Sequence, residues 1–146
     1  MLNTNQKIEH LRKLGLNGDF EQIERMYNGE KFNLHDEEYC RLLQLSKKYC
    51  MRFTELSELI SKAKSEKEIE KYNKEKCEIL DNLFPGHGVI YGCGDGLFAI
   101  IGTVDLEGSN YINARVHFNA SALTHLDEYV FVASNVEFGD NNICTQ

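Results

Sequence analysis

The sequence predicts an α+β chain, with N-terminal helices over residues 1–84 followed by a short left-handed β-helix of hexapeptide repeats over residues 85–146. Three observations predict it. Of the 16 Lys and Arg residues, 15 lie in the first 84 positions and only Arg115 lies beyond. Eight of the 11 glycines follow position 84, and the single proline, Pro85, stands at the change. Apolar residues recur at helical spacing before Pro85 and at every sixth position after it.

The helical signals run in order. Ile8, Leu11 and Leu14 form one face of a first helix ended by Gly15. Asp19 is placed as an N-cap with Gln22 three residues on, and Phe20, Ile23, Met26 and Tyr27 give a second stripe ended by Gly29. A third helix spans His35 to Phe53, with Tyr39, Leu42, Leu43 and Leu45 inside it. Ser65-Glu66-Lys67-Glu68 has capping-box spacing and opens a last helix toward Phe84. Ile69, Tyr72, Ile79, Leu80 and Leu83 share one side of that helix, opposite a solvated run of lysines and glutamates.

After Pro85 the period is six. Ile100, Leu106, Ile112 and Phe118 are spaced by six; two extra residues intervene, and Leu126, Val132 and Phe138 resume the series. The position four further on is small or medium throughout: Val104, Asn110, Val116, Ala122, Val130, Val136 and Asn142. A triangular solenoid explains such a pattern, because each side is one short strand with a large residue inside and a small one at the corner. The expected β-helix runs from about Val89 to Ile143, with a small outward corner loop at Thr124-His125. A β-sandwich would instead alternate over four to eight residues between turn clusters.

Composition narrows the function. The net charge of −7 argues against nucleic-acid and anionic-membrane partners, which need a basic surface. The chain has no apolar run near the ~20 residues of a membrane span, and its first residues lack a signal-peptide layout. Five cysteines without C-x-x-C spacing read as free thiols, which predicts a cytoplasmic protein. The glycine-rich stretches Gly86-His87-Gly88 and Gly92-Cys93-Gly94-Asp95-Gly96 lack the Lys and Ser/Thr of a phosphate loop and read as turns. Cys93 reads as inert rather than reactive. Asp95 and Asp140 do not follow calcium spacing, so no metal is expected.

Several segments are similar to the maltose and galactoside O-acetyltransferases of the hexapeptide-repeat acyltransferase family. Met26-Tyr27-Asn28-Gly29-Glu30-Lys31-Phe32-Asn33, with Asp36-Glu37-Glu38, Arg41 and Leu42, resembles that family's N-terminal helical motif. Leu83-Phe84 resembles its helix exit, Gly108-Ser109-Asn110-Tyr111-Ile112-Asn113 its Gly-x-Asn…Phe-Ile-Asn coil, and Ala133-Ser134-Asn135-Val136 its Ala-Pro-Asn-Val. The resemblance covers roughly residues 22 to 138. It implies acetyl transfer from acetyl-CoA to a sugar hydroxyl at sites between the subunits of a trimer, with a His as general base.

The departures from that pattern are equally specific. The family's base falls on Ile143, an Asn on Arg115, and the acid of a Tyr-Asp pair on Asn33; the later coils that hold CoA are absent. Losing a general base typically costs about 10²–10⁴ in rate. The expectation is therefore a truncated, catalytically inactive relative, a homotrimer acting as a binding or scaffold protein. Its intersubunit cleft would take a protein or a small molecule, with Asn113, Arg115 and His117 as substrate-binding candidates. No catalytic residue and no cofactor are assigned. The alternative is an active acetyl-CoA-dependent sugar O-acetyltransferase with a rearranged site, for which His117 or the outward-facing His125 would have to serve as base.

Overall fold

The computed structural model describes residues 2–119 and 123–139. Four helices come first: α1 (Thr4–Lys13), α2 (Glu21–Tyr27), α3 (Glu37–Lys62) and α4 (Glu66–Leu83). Eight short strands follow: β1 (Val89–Tyr91), β2 (Phe98–Ala99), β3 (Val104–Leu106), β4 (Ser109–Ile112), β5 (His117–Phe118), β6 (Thr124–Leu126), β7 (Phe131–Val132) and β8 (Glu137–Phe138).

Local chemistry accounts for the helix ends. Asn3 and Gln6 cap α1 reciprocally, and Gly15 leaves it in the left-handed region at φ 106°. The Ser65 side chain accepts from the Glu68 N–H at the start of α4. Two expectations are corrected here. Asp19 does not cap α2; its carboxylate accepts from Glu21, Phe20 occupies the cap position without a side-chain bond, and Gln22 is drawn away to the Asn33 N–H. The third helix does not end at Phe53, because buried Leu56 and half-buried Leu59 and Ile60 extend its apolar face to Lys62. α3 packs along α4, and the Arg52 guanidinium grips both oxygens of Glu75 at 2.6 and 3.0 Å.

Among the described residues, no strand pairs with its neighbour in the chain. Each pairs in parallel with a strand three places away in the chain, giving sheets ordered β1-β4-β7, β2-β5-β8 and β3-β6. This corrects the expected left-handed β-helix of hexapeptide repeats. The described chain is mixed α/β, with four helices and three small parallel sheets. Three hexads would set equivalent residues about 18 apart. The 20-residue step of β3-β6 (124 − 104) is three sixes plus the two extra residues, but the paired residues are also 20 apart in β1-β4 (109 − 89) and 19 apart in β2-β5 (117 − 98), where no extra residues were expected. Ile100, expected to stack on Phe118, yields that place to Ala99. The expected corner loop at Thr124-His125 is likewise corrected: both residues lie in β6, paired with Val104 and Asp105, where the ladder satisfies their backbone.

The six-residue spacing did fall on inward side chains. Leu106, Ile112, Phe118, Leu126 and Val132 are buried, and half-buried Phe138 packs against them. Their core is continuous with that of the helices, in one cluster from Ile8 to Val132. Phe84, fully buried at the end of α4, meets Phe118 edge-on, and Phe118 stacks on Phe138.

α3 also covers the free edge of β2. Ser46, Cys50 and Thr54 recur at i, i+4 and i+8 along one face of the helix. The Ser46 hydroxyl accepts from the Ile101 N–H at 3.0 Å, the Cys50 thiol donates to the Ala99 carbonyl, and the Thr54 hydroxyl accepts from the Gly96 N–H at 3.0 Å. Backbone groups left unpaired at a sheet edge are thereby satisfied by helix side chains. Gly88 permits the close approach of β1 to β4, since a Cβ there would lie 1.7 Å from the Gly108 carbonyl oxygen.

Candidate functional site

Asn113 and Arg115 lie in the corner between β4 and β5, and His117 opens β5. The half-buried Asn113 accepts from the Ala114 N–H through its own side chain. Arg115 sits in the left-handed region at φ 56°. Its N–H donates to the Asp95 carbonyl at 2.7 Å and its Nε to Asn135 Oδ1 at 2.7 Å. Arg115 therefore clips the rows before and after its own, and its exposed guanidinium lies 3.9 Å from the Asp95 carboxylate. His117 is exposed and tilted against Phe98, with ring centroids 6.1 Å apart. It opens on an apolar groove of about 590 Å³ between α3 and the β2-β5-β8 sheet, lined also by Lys47, Met51, Leu97 and Phe98. The three residues lie on one short stretch of chain, but Arg115 is engaged along the rows while His117 faces the groove. Ile143 lies outside the described residues.

Cys50, which lines the groove, and Cys93 are poorly suited to nucleophilic work. Burial pushes Cys50 up to about 11, against a smaller lowering by its bond to the Ala99 carbonyl. Burial pushes Cys93 up to about 12, with Lys76 pulling the other way. Burial also lowers the Lys76 ammonium, which sits 4.6 Å over the Phe53 ring and donates to the Cys93 carbonyl. Both cysteines are protonated at neutral pH and behave as packing residues. His87 is held at both ring nitrogens, by Asp81 at 2.8 Å and by the Gly88 carbonyl, which leaves neither nitrogen for a substrate.

Two features went unread in the sequence. The first is an aromatic column on the outer face of the β1-β4-β7 sheet. Tyr91, Tyr111 and Phe131 are register partners, and the last two rings stack at 4.8 Å and 11°. Val89, Ser109 and Tyr129 form the adjacent column, joined by the Val89–Ser109 pairing and a Tyr129 N–H bond to the Ser109 carbonyl. A step of 20 along the chain would have found both columns. The second is the convergence of Glu107, His125 and Asp127 outside the β3-β6 sheet, a set of donors able to hold a metal.

Comparison with protein-family models, with curated proteins and with solved structures yields no match for the chain. No described helix is long and apolar enough to cross a membrane.

Proposed function

We propose that this chain is a cytoplasmic, self-associating binding or scaffold protein, a homotrimer without acetyl-transfer activity, whose copies meet through the aromatic face of the β1-β4-β7 sheet. The chemistry of that face carries the reading. Its outward strand positions are Val89, Ser109, Tyr91, Tyr111 and Phe131, with Tyr129 in the turn before β7; none is charged, in a chain that is 27% charged. Tyr129 and Phe131 are 79% and 64% exposed. Monomeric proteins rarely leave a contiguous apolar patch of this kind uncovered, and Tyr and Phe are enriched where proteins meet.

Charge favours further copies of the chain as the occupants. Molecules of net charge −7 repel at a distance. An uncharged face is where they can meet without burying an unpaired carboxylate. The count of three and the cleft ligand follow from the resemblance to sugar O-acetyltransferases. Inactivity follows from the departures at Asn33, Arg115 and Ile143. Two of these are occupied locally: the Asn33 side chain accepts from the His35 N–H, and Arg115 binds Asn135. Light scattering at micromolar concentration tests the assembly. A trimer mass is expected, falling to a monomer mass in Tyr111→Asp with the far-ultraviolet circular dichroism unchanged. A monomeric parent chain would overturn the proposal.

A further inference from the structure

We infer that Glu107, His125 and Asp127 form a binding site for a divalent first-row transition ion on the outer face of the β3-β6 sheet. The ladder itself builds the site. β3 and β6 pair Asp105 with His125 and Leu106 with Leu126, so the next residues, Glu107 and Asp127, stand at equivalent places in adjacent rows. The Glu107 N–H donates to the Leu126 carbonyl and fixes that placement. His125 and Asp127 are two apart, which projects both toward the same side.

The distances suit one ion. His125 Nε2 lies 2.9 Å from Asp127 Oδ1 and 4.0 Å from Glu107 Oε2, and all the ligand atoms lie within 4.8 Å of one another. Nitrogen and oxygen ligands bind zinc tetrahedrally at about 2.0–2.2 Å, so two of them stand about 3.4 Å apart. The His125–Asp127 pair must open slightly and the farther pairs close by up to about 1.4 Å, a movement within a rotamer change of exposed side chains.

Charge points the same way. Among the described residues, the only Lys, Arg or His nitrogen within 4.0 Å of Glu107 or of Asp127 is that of His125. Neighbouring Asp105, on the same outer side, has a dedicated cation in Lys7. Two carboxylates sharing one imidazole leave a local negative excess that a divalent ion neutralises. One imidazole nitrogen with carboxylate oxygens is a donor set for zinc and its first-row neighbours rather than for calcium, which takes six to eight oxygens. Water would complete the coordination.

Zinc titration by calorimetry, on the chain and on His125→Ala and Asp127→Asn, tests the site. One zinc per chain is expected to bind tighter than about 1 mM. Losing an outer partner of a metal ligand already costs about 10–100-fold, so each variant is expected to lose at least that much affinity. Both variants retain every cysteine, so zinc held by thiols would leave their affinity equal to that of the parent. Equal affinity, or no saturable binding in the parent, would overturn the site. Circular dichroism of the variants checks that the sheet is retained, and Glu107→Gln supplies a third arm should either fail to fold.

Discussion

Lys7 and Asp105, 98 positions apart, form a buried ion pair at 3.2 Å that ties α1 to β3. The Lys7 side chain is 4% exposed and that of Asp105 10%. The Lys7 ammonium also sits 5.3 Å from the Tyr27 ring centroid, and the Tyr27 hydroxyl donates to the Ile101 carbonyl at 2.7 Å. Burial, with the Asp105 charge second, pushes the Tyr27 hydroxyl well above the usual tyrosine range, so it remains a donor. The first two helices thus reach the strands through three polar groups in a dry environment.

Breaking that pair from one side is expected to be costly. Lys7→Met strands a buried carboxylate, and the expected loss is about 3–5 kcal/mol. The double variant Lys7→Met, Asp105→Leu is expected to recover most of it, because neither charge is then left alone. Urea midpoints of the two variants check this; a loss in the double variant as large as in the single one would show that the charge is not the cause.

The edge of β2 depends on one hydroxyl more than its size suggests. Ser46→Ala leaves the buried Ile101 N–H without its acceptor, at an expected cost of about 1–3 kcal/mol. Ser57→Ala on the same helix is the control, since its hydroxyl only returns to the Phe53 carbonyl within α3. Chemical denaturation should rank Ser46→Ala well below Ser57→Ala in stability.

Gly88→Ala should damage the start of the β1-β4 ladder. The added methyl meets backbone rather than a flexible side chain, so the strands must separate. Overpacking of this kind costs about 1–3 kcal/mol. Calorimetric melting should show the loss.

Stability should fall in alkali, and the sign follows from the raised thiols. Cys50 and Cys93 hold their protons to about 11 and about 12 in the fold, above the unfolded value near 8.5. The folded state therefore binds more protons in that window. Their contribution is complete below about pH 8.5 and is lost as pH rises toward 11 to 12. Melting temperatures from pH 8 to 10 should decline less steeply in Cys50→Ala, Cys93→Ala than in the parent. At pH 8 a maleimide should label the exposed Cys40 and Cys77 well before either of these two.

The aromatic face should lose assembly in proportion to the area removed. Tyr91→Ser trims one end of the column and should weaken self-association, whereas Tyr111→Asp places a charge at its centre and should abolish it. Sedimentation velocity over a concentration series distinguishes the two. Assembly unaltered in both variants would move the interface elsewhere.

The sequence by itself determined which residues are inward and where the chain changes character. Helical spacing marked Leu11, Ile23, Leu42 and Leu83, and the sixfold spacing marked Leu106, Ile112, Phe118, Leu126 and Val132, because burial imposes a local period that composition records. The last described helix ends at Leu83 and the first strand begins at Val89, on either side of Pro85. Only the tertiary structure decided the pairing. Hydrogen bonds between backbones leave little trace in side-chain identity, and the sixfold series marked only inward residues, so the steps at β1-β4 and β2-β5, the outward aromatic columns and the Glu107–His125–Asp127 cluster were not read from it. The helix-to-strand contacts were hidden for the same reason. Lys7, Ser46 and Thr54 read as ordinary polar residues until folding sets each against the one group that needs it, and that match is a property of distance in space, which sequence separation does not encode.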